Sequence, residues 1–105
     1  MKDCIVVLVT VPGEDEAGRI AAALVGKKLA ACCNIIRGAR SVYRWEGAVH
    51  DEQEALMIIK TRRDLFAALE AEVKSLHTYT TPEIIALPVV AGSDAYLDWV
   101  EKNTG

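Results

Sequence analysis

Basic residues are not in excess in this sequence: 12 lysines and arginines stand against 15 acidic residues, a formal charge of −3. That balance argues against electrostatic capture of nucleic acid or of an acidic membrane surface. No apolar run reaches the length that spans a bilayer as a helix. Glycines are scattered at turns and build no phosphate-cradling loop. Ser41, Ser75 and Ser93 lie outside any G-x-S-x-G elbow, so a nucleophilic hydrolase is not indicated and the signal for an enzyme is weak. The central strands lack the aromatic signature of an RNA-recognition sheet. Cysteine is scarce, with three residues and no C-x-x-C spacing. Three thiols cannot all pair and sequence neighbours rarely bridge, so reduced thiols and a cytosolic location are expected.

What is present reads as one small α+β domain over residues 1–105, half of it hydrophobic. The opening "MKDCIVVLVTVPG" is too short in its apolar part for a secretion signal, and Pro12-Gly13 replaces a cleavage site. Its β-branched run predicts a strand over Cys4–Val11, covered on both faces. Glu14, Asp15 and Glu16 then suit a helix N-terminus, and Ala17, Ile20, Ala21 and Leu24 recur at helical spacing over 14–28. Two long strands follow, 31–45 and 49–61, joined by a tight turn at Glu46-Gly47, with Gly38 marking a bulge or bend. Thr61 and Asp64 are spaced as a capping box for a second helix ending near Leu76. "IIALPVV" reads as a last strand confined to a sheet edge by its prolines, and Ser93-Asp94 as the cap of a short final helix. The order β-α-β-β-α-β plus a terminal helix is the ferredoxin-like split βαβ sandwich. Right-handed crossovers then place both main helices on one face of the sheet.

The hairpin is longer than this domain can cover. Strand 31–45 extends ~50 Å at the usual rise, against ~21 Å for the first helix. Val42, Tyr43, Trp45, Val49 and Leu56 would be left in water, and a ribbon with open edges is a template for another chain. Pairing of the arm with neighbouring subunits, in a closed ring of identical chains, is the expectation. The alternative is an arm folded back at Gly38 onto its own domain.

"KKLAACCNI", "SVYRWEG", "EALMIIKT", "LHTYTTPEIIALPV" and "YLDW" occur in the order and spacing of the CutA (divalent-cation tolerance) family, which the chain resembles over nearly its whole length. The resemblance implies a ferredoxin-like homotrimer linked to tolerance of copper or other divalent cations, with no agreed enzymatic activity. It is also similar in architecture to the trimeric PII signal proteins, which bind small effectors between subunits. Two positions depart from the family pattern. Val9 stands where some members carry a cysteine before threonine-X-proline, and Ala48 follows "WEG" where lysine is frequent.

Candidate ligands follow. Successive strand residues point to opposite faces, so Cys32 and Cys33 cannot both hold one ion and read first as small core residues. His77 and Glu83, in the loop "HTYTTPE", combine imidazole and carboxylate, a set suited to copper(II) or zinc, with Cys33 a distant third. The competing reading of His77 is a helix-end histidine hydrogen-bonded to backbone carbonyls. Glu54 and Lys60 flank Leu56 and Ile58 on one strand face, and Tyr43, Trp45, Tyr79 and Trp99 offer an aromatic wall. Together they suggest an intersubunit pocket for a small anionic ligand with Lys60 as counter-charge. The alternative is that these aromatics fill the subunit interface.

Overall fold

A computed structural model describes residues 3–105. Met1 and Lys2 of the opening segment lie outside the described residues. The elements are β1 (Cys4–Val11), α1 (Glu14–Gly26), β2 (Cys32–Trp45), β3 (Ala48–Arg62), α2 (Phe66–Leu76), β4 (Ile84–Pro88) and α3 (Asp94–Lys102), with a 3₁₀ turn over Arg63–Leu65 leading into α2. The strands form one antiparallel sheet in the order β2-β3-β1-β4. That order is the ferredoxin-like arrangement, with the apolar first strand inside and the proline-bearing strand at an edge. Among the described residues no helix is long and apolar enough to cross a membrane.

The two faces of the sheet fare differently. Val7, Val9, Val11, Ala55, Met57 and Ile59 point to the inner face and are sealed by Ile20 and Leu24 of α1 and Leu69 and Val73 of α2. The outer face carries Val6 and Leu8, opposite Lys60 and Ile58 on one side and Leu87 and Ile85 on the other. Here α3 covers only the Cys4 end, where Val100 and Ala31 pack together. Ile36, Ile85 and Leu87 therefore remain 48–50% exposed. The expectation that β1 is covered on both faces is corrected: within one chain only the inner face is closed, because the third helix is too short to cross the sheet.

The hairpin arm projects as its length requires, and the chain measures 44 × 25 × 22 Å. Along β3, burial begins at Glu54, and the residues toward the turn lie beyond the helices. The arm is not folded back. Val42 and Val49 are each 63% exposed near its tip, whereas Leu56 belongs to the body of the sheet, opposite Thr10 and Ile36. Its turn places Glu46 at φ 50 and Gly47 at φ 80, the two left-handed residues of a type I′ connection.

A bulge interrupts the pairing between Ile36 and Ala39, with Gly38 at φ +73. Two residues of β2 there oppose Ala55 alone, so the outward-facing set of β2 switches from Cys32, Asn34 and Ile36 to Ala39, Ser41, Tyr43 and Trp45. Two local expectations change. The first helix stops at Gly26, since Lys28 turns to φ 59. The capping box does not form either: Thr61 is buried and its Oγ1 donates to the Leu29 carbonyl at 2.7 Å, while Asp64 pairs with Arg62. Thr61 closes the connection from α1 to β2 instead of starting α2.

Gly38→Ala should lower stability by about 1–2 kcal/mol in urea unfolding. No atom lies within 4 Å of an added Cβ, so the loss would come from the left-handed backbone. Thr61→Val, which keeps the shape and strands the Leu29 carbonyl, should lower it by about 1–2 kcal/mol in the same assay.

Candidate functional site

The loop after α2 is fastened by a histidine. His77 is buried, its Nε2–H donates to the Thr10 carbonyl at 2.7 Å, and its Nδ1 accepts the Tyr79 amide N–H at 3.0 Å. Glu16, buried on α1, accepts from the Thr78 amide at 3.1 Å and the Thr78 hydroxyl at 2.9 Å. Its carboxylate also lies 3.4 Å from His77 Nδ1. These bonds pin the start of the loop to the end of β1 and the first turn of α1. Tyr79 is thereby aimed at the base of the arm, where its hydroxyl donates to Glu54 Oε2 at 2.8 Å.

Between the loop and the arm opens a cleft of about 760 Å³. From β2 come Arg40, Tyr43 and Trp45; β3 supplies Glu54; the loop supplies Thr78, Tyr79, Thr80, Thr81 and Glu83. The bulge at Gly38 sets this lining, since it turns Tyr43 and Trp45 to the face that carries Glu54. Tyr43 stacks on His50, with ring centroids 5.2 Å apart, and its hydroxyl donates to Glu52.

The charges of the cleft are unequal. Arg40 is held by Asp51 through two bonds, Nε at 2.8 Å and a terminal nitrogen at 2.6 Å, and in turn keeps the Asp51 carboxyl below its ordinary range. The bond to Glu52, with some burial and the nearby Glu54 charge, pushes the Tyr43 phenol up to about 12. Burial first, and then the bond to Glu54, raises Tyr79 as well.

Of the six residues expected to line a ligand pocket, the structure brings together Tyr43, Trp45, Glu54 and Tyr79. Lys60 is elsewhere. It lies six residues along β3 from Glu54, about 20 Å at strand rise, opposite Cys32 and bonded to Asn34. Trp99 sits on α3 against Tyr96, with centroids 5.6 Å apart, and does not reach the cleft.

The three expected metal ligands are not gathered. Glu83 lines the cleft. His77 has both ring nitrogens engaged by the backbone: Nε2 bonds a carbonyl, as in the competing reading, but Nδ1 accepts an amide N–H, which that reading does not include. Cys33 points to the inner face opposite Ile59, where burial above all pushes its thiol up to about 12, while Cys32 points outward. Among the described residues no group of three or more His, Cys, Asp and Glu side chains is placed to hold a metal ion.

Sequence reasoning missed Glu16, Arg40 and the threonines of the loop. Glu16 had a signal: it precedes Ile20 and Leu24 at four-residue spacing, on the helix face that turns inward. Arg40 and Asp51 are diagonal partners across the hairpin, derivable only once the bulge has fixed the register.

The family model for CutA1 divalent ion tolerance protein matches residues 5–103. The divalent-cation tolerance protein CutA of Thermus thermophilus is 53% identical over 100 residues, covering 95% of this chain and 97% of that protein. A solved structure of the divalent cation tolerance protein (Cut A1) from Thermus thermophilus superposes with a TM-score of 0.95 at 52% identity, covering 97% of this chain and 99% of the other. The crystal structure of CutA1 from Oryza sativa gives a TM-score of 0.96 at 47% identity, covering 99% and 95%. The chloroplastic protein CutA of Arabidopsis thaliana is 49% identical over 100 residues, which are 95% of this chain and 55% of that longer protein. Matched along nearly its whole length in both sequence and fold, this chain belongs to the CutA1 divalent ion tolerance family.

Proposed function

We propose that the chain works as a homotrimer that binds divalent cations, copper(II) among them, and acts by binding without turnover. The observation that carries this reading is the outer face of the sheet. Ile36, Ile85 and Leu87 are half exposed there, and the arm extends past the helices with Val42 and Val49 uncovered. By register Val42 and Val49 belong to the opposite face of the arm, and apolar surface left open on both faces in this way marks a place made for protein contact. Both edge strands, β2 and β4, carry unpaired backbone groups for a neighbour to use. The three cysteines are unbridged, in keeping with a reducing, cytosolic setting.

Family membership supports the link to divalent cations. In one chain the donors at the cleft are the carboxylates of Glu54 and Glu83 and several hydroxyls, a hard oxygen set and an incomplete one for copper(II). A neighbouring copy set against the arm would add the missing donors. Assembly therefore comes before metal binding in this reading. A second reading, an effector-binding signal protein of the PII kind, draws on the cleft itself, whose volume is that of a small-molecule site.

Copper(II) titrated into the full chain should bind saturably, and Glu83→Gln should weaken it about tenfold or more, as loss of a charged ligand does. Unchanged affinity in Glu83→Gln would remove the cleft from the metal hypothesis. The paired substitution Ile36→Asp with Leu87→Asp should lower the sedimenting mass to that of a single chain and weaken copper binding together. Tight copper binding by such a monomer would separate the two halves of the proposal.

A further inference from the structure

The cleft has a chemical sign that a divalent cation does not exhaust. Arg40, the basic residue of its lining, is neutralised by two bonds to Asp51. The remaining charges are Glu54 and Glu83, with Glu52 just behind Tyr43. Glu54 is only 7% exposed, yet just one of its oxygens, Oε2, is bonded, to the Tyr79 hydroxyl; Oε1 accepts no hydrogen bond among the described residues. No buried side-chain oxygen is left unsatisfied among the described residues, so the free Oε1 is the edge of the carboxylate that keeps contact with solvent at the cleft, where a positive partner could meet it.

The walls add a second and independent property. Tyr43, Trp45 and Tyr79 line the same cleft, and two of these rings are fixed through their hydroxyls by Glu52 and Glu54. Aromatic faces contribute little to a small oxygen-liganded metal ion. They attract an organic cation, whose charge sits against the ring quadrupole while its carbon body is desolvated. An anion would meet Glu54 and Glu83 with no free counter-charge, because Lys60 lies at the far end of the outer face.

We infer that the cleft between the arm and the 77–83 loop binds a small organic cation, a primary amine on an apolar body, with the ammonium at Glu54 and Glu83 and the body between Tyr43, Trp45 and Tyr79. The volume, about 760 Å³, is that of a site for a small molecule. The inference goes beyond the metal reading and does not rest on it.

The test is calorimetric titration of the full chain in EDTA, with benzylamine as the probe and benzyl alcohol and benzoate as neutral and anionic matches of the same body. Benzylamine should bind saturably, with the two controls at least about tenfold weaker, the scale of a lost charged hydrogen bond. Glu54→Gln keeps an acceptor for Tyr79, and Glu83→Gln alters an exposed side chain; loss of about tenfold in either supports the site. Absence of saturable benzylamine binding, as when a neighbouring copy fills the cleft, overturns the inference. Equal binding of benzyl alcohol, or unchanged affinity in both variants, does so too. Because chelator is present throughout, failure here leaves copper binding unaffected, and failure of the copper titration leaves this result standing.

Discussion

A sheet has two faces, and this chain carries helices enough to close one. The inner face is sealed by α1 and α2, with Val7, Val9, Met57 and Ile59 completely removed from water. At about 25 cal/mol per Å² of apolar surface, burial of this kind is the main term that holds the domain together. The outer face has only α3 at one corner, although β1, β3 and β4 place Val6, Leu8, Ile58, Ile85 and Leu87 on it. A central strand apolar on both sides makes sense only where both sides are eventually covered. The arm extends the same imbalance past the body of the domain, and the cleft lies where the arm leaves that body.

Two local devices turn this scaffold into a site. The first is the bulge at Gly38, one extra residue that exchanges the faces of β2. Without it Tyr43 and Trp45 would point away from Glu54, and the arm would be a ribbon with its aromatics on the wrong side. The second is the buried peg of His77 and Glu16, which binds the loop to β1 and α1 through three hydrogen bonds, while a fourth, from the Tyr79 amide to His77 Nδ1, holds the loop to itself. His77 acts here on backbone groups, and through Tyr79 it shapes a cleft that it does not itself line. Positioning of this kind places a tyrosine hydroxyl on a buried carboxylate without any long-range charge.

Much of this is legible in the residues. Periodicity yields the strands and helices to within a few positions, "EG" marks the turn and Gly38 the bulge, because backbone chemistry acts locally. Residue type groups Tyr43, Trp45, Glu54 and Tyr79, which line one cleft, but it also groups Lys60 and Trp99 with them, which do not. Lys60 shares a strand face with Glu54, and period two says nothing about how far along that face two residues lie. The sign of the ligand consequently reads as anionic, whereas the cleft presents carboxylates. Glu16 reads as a helix-terminal charge because the partner that buries it, Thr78, is 62 residues away. The apolar run of β1 points to two covered faces, and composition does not show that the helices of one chain close only one of them.

The most direct measurement of this account is the mass of the wild-type protein by light scattering across micromolar concentrations. Three times the chain mass of 11.4 kDa, stable on dilution, is the predicted result. A folded particle of one chain mass, with the outer face still in water, would contradict it.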